Sequence, residues 1–136
     1  MAAKPETTFY TSVHRHLPPE LYRMKLFNPY VSGPADHWYS GTLADLWVEW
    51  KFFRLPKRSS TMVKPDLSPM QQEWTGARLR EGRNVAVILG CSDGGVVYED
   101  LSWEKSLTCG EFRARLKTRK QLAEWIEGKV WRGSAA

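Results

Sequence analysis

Between Leu46 and Phe53 the chain reads Leu-Trp-Val-Glu-Trp-Lys-Phe-Phe, an apolar run with two opposite charges set inside it. Successive side chains of a β-strand point to opposite faces. Leu46, Val48, Trp50 and Phe52 therefore share one face, and Trp47, Glu49, Lys51 and Phe53 the other. Glu49 and Lys51 are neighbours on that second face, among Trp and Phe side chains. As an exposed ion pair they would be worth only about 0.5 kcal/mol. A second reading takes in Asp36, which follows the turn Gly33-Pro34-Ala35 upstream. Two carboxylates hold a hard divalent cation, while a lysine beside them orients a water and offsets phosphate charge; these are the parts of metal-assisted phosphodiester hydrolysis. Asp45 also falls on the Glu49 face, but two pleats along the strand put it roughly 13 Å away. It therefore ranks behind Asp36.

The elements around this strand follow from periodicity and punctuation. A helix is predicted at about 6–17, ended by Leu17-Pro18-Pro19 because proline cannot continue it. An extended segment follows at about 25–31. Residues 36–40 and 44–53 form a predicted hairpin about Ser40-Gly41-Thr42. In Ser68-Pro69-Met70-Gln71, Ser68 suits the N-cap, Pro69 the first helical position and Gln71 the capping-box partner, with Gly82 as the stop, so 69–81 is a helix. Val85–Leu89 reads as a buried strand that turns at Ser92-Asp93-Gly94-Gly95 into Val96-Val97-Tyr98. Helical structure is expected across about 109–128, more regular over 119–128. The order α-β-β-β-α-β-β-α describes one α/β domain with a mixed sheet flanked by helices, its core at about 6–100.

A 136-residue chain with 42% hydrophobic residues can build one real core. No apolar run approaches the ~20 residues of a membrane helix, and the first residues lack the apolar stretch of a secretory signal. Cys91 and Cys109 make neither a disulfide framework nor a zinc pattern. A cytoplasmic protein with reduced thiols is the expectation. The net charge is +5, and Arg54, Lys57, Arg58 and Lys64 crowd just after the charged strand. Beside a site for phosphodiester chemistry, such a loop is expected to contact DNA phosphates. A second cluster, Arg113, Arg115, Lys117, Arg119 and Lys120, fits a phosphate-binding or a solvated face equally well. His14 and His16 stand two apart, on different sides of a helix, which suits phosphate contact or exposure better than a shared metal. Trp38, Trp47, Trp50 and Trp74 suit core and cleft wall, with Trp38 and Trp47 able to stack on unpaired bases.

An Asp, a Glu-x-Lys and the segment Leu67-Ser68-Pro69-Met70-Gln71-Gln72-Glu73-Trp74, in that order, resemble the PD-(D/E)xK nuclease superfamily, and within it the VRR-NUC branch of stand-alone phage nucleases and structure-specific DNA repair nucleases. The resemblance covers about residues 6–90. It implies a restriction-endonuclease-like core and a DNA nuclease acting on branched or junction DNA, working with Mg²⁺ or Mn²⁺ and pairing as a homodimer. Asp36, Glu49 and the backbone carbonyl of Trp50 would be the metal ligands, and Lys51 would orient the attacking water. Gln71 either closes the capping box on Ser68 or helps place the lysine or the water. The family's first-helix glutamate falls on Glu6, with Glu20 a poorer match. One departure is Ala35, which stands between Pro34 and Asp36 where the family has proline directly before the aspartate. Should that insertion displace the carboxylate, a catalytically inactive nucleic-acid-binding module on the same fold is the alternative. A small protein-interaction or inhibitor factor is a third reading.

Overall fold

The computed structural model describes residues 3–26 and 33–131. Its elements are α1 (Pro5–His14), β1 (Tyr22–Lys25), β2 (His37–Ser40), β3 (Asp45–Phe52), β4 (Met62–Val63), α2 (Pro69–Arg80), β5 (Val85–Cys91), β6 (Gly94–Tyr98), β7 (Leu107–Thr108), α3 (Cys109–Ala114) and α4 (Arg119–Val130), with a 3-10 turn at Ser102–Glu104. Five strands form one sheet in the order β1-β2-β3-β5-β6, and β4 pairs with β7 apart from it. Only β3 and β5 run parallel within the sheet. A parallel pair needs a crossover, and the chain from β3 to β5 passes through β4 and α2.

The alternation of β3 sorts the core into two halves. Leu46, Val48 and Trp50 join Phe9, Tyr10 and Val13 of α1 and Leu122, Ala123 and Ile126 of α4. Opposite them, Val87, Leu89 and Cys91 of β5 pack with Val63, Leu67 and Phe112. Strand β5 is buried along its whole length because both its faces are covered. The α1 side is tightest at Gly90, where an added Cβ would lie 2.5–2.7 Å from three ring atoms of Phe9. Gly90→Ala should therefore cost about 1–3 kcal/mol through overpacking. An unchanged urea midpoint would show that α1 can shift without penalty.

Several expected boundaries move. Helix α1 ends at His14 rather than at 17; Pro18 disfavours helical backbone at Leu17, and the chain tightens through His16 N–H on Val13 O and Leu17 N–H on His14 O. That turn sends Leu17 back into the core. A strand at Tyr22–Lys25, paired along its length with His37–Ser40, leads up to the extended segment expected at about 25–31; residues 27–31 of that segment lie outside the described ones. Helical structure over 109–128 is two helices, because Lys117 exchanges backbone hydrogen bonds with Gly95 at the edge of β6. The break has a local sequence signal. Thr108-x-x-Glu111 and Thr118-x-x-Gln121 are both capping boxes, and each closes at the start of its helix.

Candidate active site

Strand β2 begins at His37, opposite Val48, while β3 continues to Phe52. Trp47 N–H donates to Asn84 O and Phe53 N–H to Gly90 O, so odd-numbered residues of β3 bond toward β5. By alternation the N–H and C=O of Trp50 face the opposite edge, past the start of β2. Asp36 fills that gap. Its Oδ2 accepts a hydrogen bond from Trp50 N at 2.8 Å, and its own carbonyl accepts one from Leu26 N at 2.8 Å. The extra residue Ala35 is buried, and the turn that contains it brings the Asp36 side chain to the edge of β3.

Glu49 lies just beside this point and is only 1% exposed. Its Oε2 accepts from Gln71 Nε2 at 3.2 Å and stands 3.9 Å from Lys51 Nζ. Its Oε1 is buried with no hydrogen-bond partner among the described residues. Burial first, and then the neighbouring Asp36 charge, push the Glu49 carboxyl up to about 9, with Lys51 opposing. Glu6, in the first turn of α1, is also raised by partial burial and by Asp36, against the pull of Lys51 and Lys25. Three acids thus feel one another at the end of the sheet. Among the described residues no three His, Cys, Asp or Glu side chains form a ready metal cage. An orphaned, buried carboxylate oxygen beside a second carboxylate nevertheless fits a hard cation, which favours charged oxygen ligands.

Gln71 does two jobs at once. Its Oε1 accepts from Ser68 N at 3.0 Å, closing the capping box of α2, and its Nε2 donates to Glu49. Asp45 is elsewhere, at the start of β3, accepting from Ser40 Oγ at 2.7 Å. Glu20 is exposed in the turn before β1. Lys25 joins the constellation without any local sequence signal: its Nζ donates to Tyr10 Oη at 2.6 Å, and its charge acts on Asp36 and Glu6. Only the pairing of β1 with β2 puts it there.

The basic residues Arg54, Lys57, Arg58 and Lys64 are all exposed. Of the C-terminal cluster, Arg113 reaches the same loop, donating from Nη2 to Pro56 O at 3.0 Å. Arg119 is structural, bonded to Ser12 Oγ and Ser92 O and lying over Phe9. His14 differs from expectation. Its Nε2 shares a 2.6 Å hydrogen bond with Tyr39 Oη, and its ring packs against Tyr10, His37 and Trp50. Burial first, and then nearby His37 and Arg23, lower it to about 3, so it is an uncharged core residue at neutral pH. On the Glu49 face Trp38 stacks on Trp47 at 5.7 Å, and Trp47 meets Trp74 edge-on at 5.8 Å.

No family model matches the chain, and no curated protein sequence matches it. Among solved structures it is similar to Hjc of the archaeal hyperthermophile Archaeoglobus fulgidus, a Holliday junction resolvase, with a TM-score of 0.55 and 16% identity over 91% of this chain and 96% of that one. At that identity the likeness is one of fold: a mixed sheet flanked by helices, of the restriction-endonuclease-like kind. It does not single out the VRR-NUC branch. Among the described residues no helix is long and apolar enough to cross a membrane.

Proposed function

We propose that this chain is a divalent-metal-dependent DNA nuclease of the PD-(D/E)xK type, VRR-NUC-like, that hydrolyses phosphodiester bonds in branched or junction DNA. The observation that carries the reading is Glu49: a nearly fully buried carboxyl with one orphaned oxygen, placed between Gln71, Lys51 and a second acid. A fold shared with a junction resolvase supports it. In this reading Asp36, Glu49 and the Trp50 carbonyl hold Mg²⁺ or Mn²⁺, with Glu6 close by. A divalent ion held by these residues would supply an activated water and positive charge against the phosphate. Lys51 orients that water and offsets phosphate charge. Gln71 fixes the Glu49 carboxylate by donating to Oε2, and Glu49 would have to be deprotonated for its free Oε1 to serve as a ligand. A four-way junction presents equivalent strands to a symmetric pair of chains, so the working form is a homodimer. Light scattering should give a mass near twice 15.7 kDa.

The deciding assay uses labelled linear, flap and four-way junction DNA with Mg²⁺ or Mn²⁺ and an EDTA control. Metal-dependent cutting that favours a branched form is expected. No cutting of any form with either ion would sink the enzyme reading, and tight DNA binding without cutting would leave the inactive-module alternative.

The basic loop gives a separate test. Lys57 and Arg58 are exposed and outside the described ion pairs. Lys57→Ala with Arg58→Ala should weaken binding to all sequences alike and lower the slope of log K against log salt by up to about 2, because each lost duplex-phosphate contact removes roughly 0.9. Cutting at saturating DNA should persist. An unchanged slope together with unchanged affinity would make this loop solvated surface.

A further inference from the structure

The end of β3 leads from the acid site straight into a cleft of about 470 Å³ lined by Phe52, Phe53, Arg54, Ser92, Asp93 and Arg113. Its first wall residue is the next one after Lys51, and two strand residues span only about 7 Å. Two guanidinium groups reach it from separate elements, Arg54 after β3 and Arg113 from α3, against the single acid Asp93. Both arginines are exposed, and neither is in an ion pair among the described residues.

The cleft wall is also held in place. Cys109 N–H donates to Thr61 O at 2.7 Å and Gly110 N–H to Ser59 O at 3.0 Å. Pro56 O accepts from Cys109 Sγ and from Arg113 Nη2, each at 3.0 Å. Arg113 thus uses one N–H on the scaffold and keeps the rest of its fork of donors for a ligand. Underneath, Phe53 packs edge-on against Phe112 at 5.3 Å and Phe52 lies tilted against Phe9 at 5.7 Å, so the apolar lining is fixed.

We infer that this cleft is a strand-binding subsite, in which Arg54 and Arg113 grip the sugar-phosphate backbone of the DNA strand on one side of the scissile bond. The inference rests on the nuclease reading above. Guanidinium forks suit phosphate oxygens, and the exposed parts of Phe52 and Phe53 beside them suit sugars and bases. It also gives α3 a task that the resemblance, which stops near residue 90, leaves unassigned.

The test exploits the burial of both native cysteines, Cys91 and Cys109. Ser92→Cys, made in a Glu49→Gln background so that DNA stays intact, supplies one accessible thiol at the cleft rim for a photo-activated aryl azide. The protein is mixed with an end-labelled four-way DNA junction in EDTA, illuminated, and the covalent adduct is measured per bound junction, with binding read by mobility shift. An adduct is expected, falling about tenfold when Arg54→Gln and Arg113→Gln remove both phosphate contacts. Arg54→Gln alone, which breaks no described hydrogen bond, should lower it part of the way. Bound junction without adduct, or an adduct indifferent to both arginines, would overturn the inference; so would the absence of any DNA binding. Should the unmodified protein cut no DNA with Mg²⁺ or Mn²⁺ while the arginine-dependent adduct forms, the nuclease reading fails and the subsite stands. Cutting without an adduct overturns the subsite and leaves the nuclease reading intact.

Discussion

Glu49→Gln is expected to lower DNA cleavage by at least ~10²-fold, since a charge placed for the transition state is worth several kcal/mol, and at the same time to stabilise the metal-free protein at pH 8. The second effect comes from the buried Glu49 carboxyl beside the half-buried Asp36. Burial and Asp36 raise the Glu49 carboxyl from 4.5 to about 9 in the folded chain. Between those values the folded protein holds a proton that the unfolded chain has released, so stability falls as pH rises through this window. Glutamine stays neutral in both states and removes that slope. Each tenfold difference in proton affinity is about 1.4 kcal/mol, so a gain of up to about 5 kcal/mol at pH 8, shrinking toward pH 4.5, is the expected result in urea titrations with EDTA. Lys51→Ala should lose cleavage to a similar degree without this gain, because it removes the cation that, among the described residues, stands beside Glu49. A Glu49→Gln protein that cuts normally would end the catalytic assignment; one that loses activity but melts earlier at pH 8 would mean that Glu49 is already ionised there.

The two aspartates give the second large contrast. Asp36→Asn retains an oxygen that can accept from Trp50 N, so the fold should hold, but it halves the charge of the acid pair. Cleavage should drop by ~10²-fold or more and divalent-ion affinity with it. Asp45→Asn, whose side chain meets Ser40 at the far end of β3, should leave cleavage within about threefold, since its distance from Glu49 is that of two pleats. Calorimetric metal titration and single-turnover cutting measure both. The reverse outcome would move the site to the beginning of β3.

What can be read from residues alone divides by range. The faces of β3 are legible because the period of two sorts every side chain of Leu46–Phe53, and the start of α2 because Ser68, Pro69 and Gln71 each have a local job there. Restriction-endonuclease-like architecture comes through a resemblance, and the shared fold of the archaeal resolvase agrees with it. The two-residue pair β4–β7 has no period to detect. Lys25 is invisible for another reason: its approach to Tyr10 depends on which strand lies next to β2, a long-range fact. His14 escapes a sequence reading because a histidine looks the same whether it meets solvent or Tyr39.

Gln71 carries a consequence for which substitutions this chain can absorb. Its amide oxygen ends a helix and its amide nitrogen holds an acid, so the orientation of the group is dictated from both sides. Glutamate would still cap α2 but would set a negative charge against Glu49; leucine would fill similar space and do neither. Most positions in a first helical turn accept several polar residues. This one tolerates almost none, because the local grammar of a helix start and the ionisation of a buried acid are written in the same side chain.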